Sequence, residues 1–222
     1  MLINADFSLT ATVAGDQYRW VPSPQVGVER VMLDRVGAEK ARATSIVRYA
    51  PNSYFPPHPH PGGEEILVLS GTFSEDGDHF PAGWYLRNPP GSSHRPSSAD
   101  GAVLFVKLQQ MHASETASVR IDTRDPGNWR RHGGREICPL FASEHEEASL
   151  QRLTPCENLM DQRIDAIEML VLAGELVMDT CTYPQGSWLR FPVGTLTRIA
   201  AGQEGVTVYM KRTHPVRAES VA

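Results

Sequence analysis

Blocks of basic charge, long apolar runs, paired cysteines and helical periodicity are all missing from this sequence. The lack of any Lys/Arg block, with a formal net charge of −5, leaves no electrostatic footprint for nucleic acid or an anionic membrane surface. No apolar run approaches the ~18 residues a membrane helix needs. The opening MLINADFSLT has neither the basic nor the apolar region of a secretory signal. Cys138, Cys156 and Cys181 form no CxxC pair, which predicts reduced thiols in a cytoplasmic protein rather than a disulfide framework. All three are expected to be buried small hydrophobes.

What is present is a series of short β-branched and aromatic runs, among them ATSIVRYA, EEILVLSGTF, AVLFVKLQ, IEMLVLAGEL and GVTVYMK, separated by turns rich in Gly, Pro, Asp and Ser. This pattern predicts an all-β sandwich or barrel. The 222 residues suffice for one large domain or two smaller ones.

An internal repeat decides for two. Residues 64–96 align without a gap on residues 167–199, placing Gly71 on Gly174, Pro81 on Pro184, Gly83 on Gly186, Arg87 on Arg190, Pro89 on Pro192 and Gly91 on Gly194. Upstream, SIVRYAP matches SLQRLTP and Trp20 matches Trp129. The expected domains are residues 1–112 and 113–222. EHEEASLQRL (144–153) would pass for an amphipathic helix, but its end aligns with a strand-like segment and is read as strand.

The stretch PPHPHPGGEE carries the chemistry. In a strand, residues i and i+2 share a face, so His58 and His60 offer two imidazoles side by side. The alternating prolines cannot donate to a ladder, which places this strand at a rim. Glu64 or Glu65, after the Pro61-Gly62-Gly63 turn, could close on the same point, and His94 in PPGSSHRP supplies a third imidazole. Such a set suits zinc, iron, manganese, nickel or cobalt.

The second copy sharpens the assignment. It keeps the glycines, prolines and apolar strands but has no histidine between residues 146 and 213; Thr197 replaces His94, and Asp161 and Arg163 fall near the HxH pair. Glu64 becomes Ile167 whereas Glu65 is retained as Glu168, so Glu64 is the ligand and Glu65 serves structure, by pairing or surface solvation. Ile167, Met169 and Val171 are expected to fill the second interior. Arg48 and Arg87 could clamp an anion, but they recur as Arg152 and Arg190 and are read as structural. Tyr49, Phe55 and Phe105 could line a pocket, though core packing is the more common fate of aromatic residues. His79, His112, His132, His145 and His214 have no spaced partners.

These residues resemble the cupin superfamily, whose motifs are G-x5-H-x-H-x3,4-E-x6-G and G-x5-P-x-G-x2-H-x3-N. Here the first reads Asn52-x5-His58-x-His60-x3-Glu64-x6-Gly71 and the second Gly83-x5-Pro89-x-Gly91-x2-His94, with Asn52 for the leading glycine and Ser98 for the final asparagine. Asparagine tolerates the left-handed conformation, so the first departure is mild. The resemblance implies two tandem cupin jelly-roll barrels of the RmlC-like bicupin type, the second degenerate. Residues 18–112 further resemble the cupin domain of ChrR-type anti-sigma factors, which implies zinc on His58, His60, Glu64 and His94, with iron, manganese and nickel as alternatives. Regulators of that family hold an extracytoplasmic-function (ECF) sigma factor and release it under oxidative stress. Their helical His-x3-Cys-x2-Cys domain has no counterpart in this sequence. The expectation is a non-catalytic sensor in transcription regulation, responding to oxidative stress or a small effector, with an ECF sigma factor and a homodimer as candidate partners. A metal-dependent dioxygenase or isomerase acting on a small diketone or enol is the other reading.

Overall fold

The computed structural model describes residues 1–38, 40–160 and 165–214; Asp161 and Arg163 lie outside the described residues. Strands dominate, joined by turns and two short 3-10 segments, Gly15–Gln17 and Pro126–Asn128. No helix among the described residues is long and apolar enough to cross a membrane. The segment expected to be strand despite its helix-like pattern is strand Glu146–Leu153, paired in register with both neighbouring strands.

The chain forms two compact units, Met1–Ala5 with Tyr18–Asn128, and Asp6–Gln17 with Trp129–Ala222. The first is built on an 11-stranded antiparallel sheet, in which Leu2–Ile3, Val28–Val36, Arg42–Tyr49, Ala102–Leu108, Glu64–Glu75, Trp84–Asn88 and Val119–Asp122 are successive neighbours. The second is built on a 9-stranded sheet ordered Arg130–His132, Arg135–Ala142, Glu146–Leu153, Ile199–Thr213, Ala166–Met178, Trp188–Phe191 and Ala11–Val13. Both units are therefore discontinuous, and the division falls elsewhere than between residues 112 and 113. The first sheet takes its last strand from beyond Leu108, pairing Leu86 with Arg120; the second takes its last from near the chain start, pairing Leu189 with Thr12.

The repeat in sequence is a repeat in register. Glu29 lies opposite Arg48 as Glu136 lies opposite Arg152, and both first strands bulge at the same step, after Met32 and after Pro139. Arg48 bonds Glu29 at 2.6 Å and lies 4.2 Å from the Trp20 ring; Arg152 bonds Glu136 at 3.5 Å and lies 3.7 Å from the Trp129 ring. This recurring ion pair under an aromatic face is structural. Gly71 and Gly174 adopt φ of 70° and 69°. A Cβ at either would meet a carbonyl oxygen, that of Gly101 or of Gly205, at 2.0 or 2.2 Å. Asn52 takes the leading glycine's place at φ 59°.

The interiors differ. In the second unit Ile167, Met169, Val171, Leu176, Leu189 and Phe191 belong to one buried apolar cluster. The first unit's cluster, including Tyr49, Ile66, Val68, Phe73, Leu104 and Val106, leaves a cavity of about 410 Å³. Tyr49 and Phe55 line that cavity; Phe105 does not, because it sits on the opposite strand parity and packs elsewhere. Cys138 is buried, whereas Cys156 and Cys181 are exposed, so only one thiol behaves as a core hydrophobe. Cys156 occupies a left-handed turn at φ 59° and Cys181 starts a hairpin strand, positions that topology holds at the surface.

Candidate metal centre

Among the described residues strand His58–His60 pairs with Ser92–His94 alone, in a two-stranded sheet apart from the large one, a rim position that tolerates Pro59. His94 lies opposite His58, and residues opposite one another share a face, as do i and i+2. All three imidazoles thus project together, with ligand atoms within 4.8 Å of one another. Pro59 and Ser93 take the other face.

Glu64 begins the strand Glu64–Glu75 and is buried. Its Oε2 lies 3.4 Å from His60 Nε2 and 3.4 Å from His94 Nε2, and those nitrogens are 2.9 Å apart. Donors held ~2.1 Å from one cation lie about 3.0 Å apart at right angles and about 3.4 Å at tetrahedral angles. The donor spacing and chemistry therefore fit a single divalent ion. His58 Nδ1 donates to the Pro56 carbonyl at 2.9 Å, leaving its Nε2 for the ion.

Adjacent Glu65 faces the other way. It is buried and accepts from Arg87 Nη1 at 3.1 Å; Arg87 also donates twice to Glu115, at 2.8 Å each. Of the two structural roles open to Glu65, pairing is the one realised. Glu168 in the second unit is likewise buried and accepts from Trp188 Nε1 at 2.8 Å.

Behind the histidines and Glu64 lies a network that the motifs do not contain. His94 Nδ1 bonds Glu75, and Glu75 accepts from Arg120, whose guanidinium also reaches Asn88 Oδ1 at 2.6 Å. Asn88 Nδ2 points at both Glu64 and Glu75, 3.4 Å from each. A carboxylate on the far nitrogen of a ligand histidine fixes its tautomer and orientation. The same gapless alignment carried the signal, since Glu75 becomes Met178 and Asn88 becomes Phe191 where the ligands are lost.

Electrostatics follow from this packing. Burial pushes the His60 pKa down, against the pull of Glu64, and so favours the neutral ring a metal needs. Burial opposes charge on His94 too, but the Glu75 hydrogen bond with the Glu64 and Glu75 charges outweighs it, and its pKa is raised. Burial likewise opposes ionisation of Glu75, yet its bond from His94 and the Arg120 charge hold its pKa down. Burial, then the Glu64 charge, raises the Tyr49 hydroxyl pKa well above its ordinary value. His79, His112, His132, His145 and His214 lie outside the three-histidine cluster.

A jelly-roll unit with inward-facing histidines from its HxH rim strand and from the later Pro-Gly turn is a cupin. Residues 9–112 match the family described as the ChrR Cupin-like domain, and this part of the chain is a domain of that kind. No curated protein matches the chain. Among solved structures, a candidate dioxygenase of Nostoc punctiforme is 13% identical with a TM-score of 0.72, covering 100% of this chain and 84% of its own. The bacterial pirin YhhW of Escherichia coli, in complex with nickel(II), is 12% identical with a TM-score of 0.69, covering 94% and 100%. A Cupin 2 conserved barrel domain protein of Leptotrichia buccalis is 10% identical with a TM-score of 0.60, covering 87% and 92%. At these identities the likeness establishes the fold.

Proposed function

We propose that the first unit holds one divalent metal through His58, His60, Glu64 and His94 and uses it to bind a small organic effector, as a regulator rather than a catalyst. The observation that carries this reading is the cavity of about 410 Å³, whose wall includes His58, His60 and Glu64. That volume falls within the ~300–1,000 Å³ of small-molecule sites. The metal supplies a Lewis-acidic point for an oxygen donor, and the apolar wall excludes water from it. Both carboxylates beside the cluster are engaged, Glu64 with His60 and His94 and Glu75 with His94 and Arg120, which leaves neither as a ready general base. Zinc is the proposed ion, in keeping with a ChrR-type domain; the nickel of the bacterial pirin makes nickel an alternative, with iron and manganese.

The test is metal analysis of chain purified without added metal, followed by a thermal-shift screen of small molecules on the loaded and stripped forms. About one metal per chain and metal-dependent stabilisation by an oxygenated ligand support the reading; absence of metal overturns it. The open cavity beside the cluster also favours a second reading, a dioxygenase or isomerase acting on a diketone or enol. Oxygen consumption by iron-loaded protein with such a substrate would establish it. Recovery of an ECF sigma factor with the tagged chain would support the regulatory partner.

A further inference from the structure

Tyr49 carries a hydroxyl that the metal reading does not use. Its side chain lines the cavity, and the residue is 6% exposed. Among the described residues no hydrogen bond reaches this hydroxyl, and its oxygen is not sealed off, so it opens on the cavity. A buried phenol without a partner is costly unless a guest supplies the acceptor.

The surroundings of that hydroxyl define what could meet it. The Tyr49 ring meets Phe55 edge-on at 5.7 Å between centroids and Phe73 at 6.2 Å. Those two rings lie in turn 5.5 Å from the His58 ring and 6.1 Å from the His94 ring. One aromatic layer therefore separates Tyr49 from the histidines, and its opposite neighbours on the adjoining strands are Val28 and Ala102. The carboxylate whose charge reaches the hydroxyl is that of Glu64. An anion placed there would be desolvated and repelled, whereas a neutral oxygen needs only the one donor a phenol has.

The second unit again separates scaffold from site. Because Glu29/Arg48 and Glu136/Arg152 are equivalent pairs, Leu153 stands where Tyr49 does, and the gapless alignment puts Leu176 in the place of Phe73. Both leucines belong to the buried apolar cluster of that unit. Ser45, which also lines the first unit's cavity, recurs as Ser149 and is read as scaffold. The Tyr49 hydroxyl is thus lost in the unit that has lost the histidines and Glu64.

We propose that Tyr49 is the specificity-determining residue of this cavity: its hydroxyl donates to a neutral oxygen (carbonyl, ether or alcohol) of a small molecule with an apolar body, whose other oxygen is directed at the metal. The apolar part of the wall, including Val47, Ile66, Leu104 and Val106, takes the body. The metal-facing end rests on the metal-binding reading of the site, and the Tyr49 end on the geometry of the cavity alone.

The experiment is calorimetric titration of the metal-loaded full chain with ω-hydroxyalkyl hydroxamates from the butanoic to the octanoic chain length, each paired with the analogue that ends in a methyl group. Metal content and thermal stability are measured on every sample. The hydroxamate holds the metal, and the far end reports on Tyr49. In the wild-type chain the hydroxyl-ended member should bind about fivefold more tightly at the chain length that reaches Tyr49. Tyr49→Phe should keep its metal and its stability, because the oxygen it removes bonds no protein group, and should reverse the preference toward methyl. A methyl preference at every length in wild type, or the same hydroxyl preference in Tyr49→Phe, overturns the proposal. Chain that takes up no metal sinks the metal reading, and the matching carboxamides, which need no metal, then probe Tyr49 by itself. A hydroxyl preference among them that Tyr49→Phe abolishes keeps the Tyr49 assignment; its absence removes it.

Discussion

The Nε2 atoms of His60 and His94 face each other at 2.9 Å inside a buried site. With His94 Nδ1 bonded to Glu75, its Nε2 is the nitrogen turned toward His60 and Glu64. Two imidazole nitrogens and the Glu64 carboxylate converging on one point form a donor set that could hold a cation.

Removing a ligand should empty the site. His60→Ala and Glu64→Ala are each expected to lose most of the metal of the wild-type chain, read by elemental analysis after dialysis. Full retention in both would falsify the ligand assignment.

Glu65→Ala should behave in the opposite sense. Its carboxylate meets buried Arg87 rather than the imidazoles, so metal content should be unchanged while stability falls by about 3 kcal/mol. Denaturant unfolding and metal analysis of the same preparation separate the two glutamates; loss of metal would reverse their roles.

Glu75→Gln tests the layer behind the ligands. It keeps the side chain's shape but removes the charge that orients His94 and meets Arg120, and metal affinity is expected to fall about 10- to 100-fold. Competition with a chromogenic chelator measures this. Affinity equal to wild type would show that Glu75 does not position His94.

Thiol chemistry should split the cysteines. Burial raises the Cys138 pKa to about 11, so at pH 8 almost no thiolate is present and the side chain is inaccessible. Iodoacetamide should modify Cys156 and Cys181 in the native chain and reach Cys138 only in denaturant, as mass spectrometry of peptides would show. Rapid native labelling of Cys138 would contradict its burial.

The apolar cluster of the second unit predicts a purely structural penalty. Met169 is fully buried among apolar neighbours, and Met169→Ala should cost about 2–5 kcal/mol by leaving a cavity. Metal content should not change.

Much of the site was legible in the chain because it rests on local rules. Strand parity puts His58 and His60 on one face, prolines force their strand to a rim, and loss of Glu64 alongside the histidines in the second copy separates it from Glu65. The expected burial of Cys156 and Cys181 fails for a related reason: residue type states a preference for burial, whereas turn position determines exposure.

By itself, then, the sequence determined the all-β repeat and the four ligand candidates, since both depend on spacing within a few residues and on comparison of two copies. Tertiary structure alone decided which strands complete each sheet, that Arg120 supports a histidine 26 positions earlier through Glu75, and that Arg30 and Arg35 rather than Arg48 and Arg87 face the cavity. Those outcomes depend on pairing register between distant strands. A one-residue shift in register would carry every such side chain to the other face.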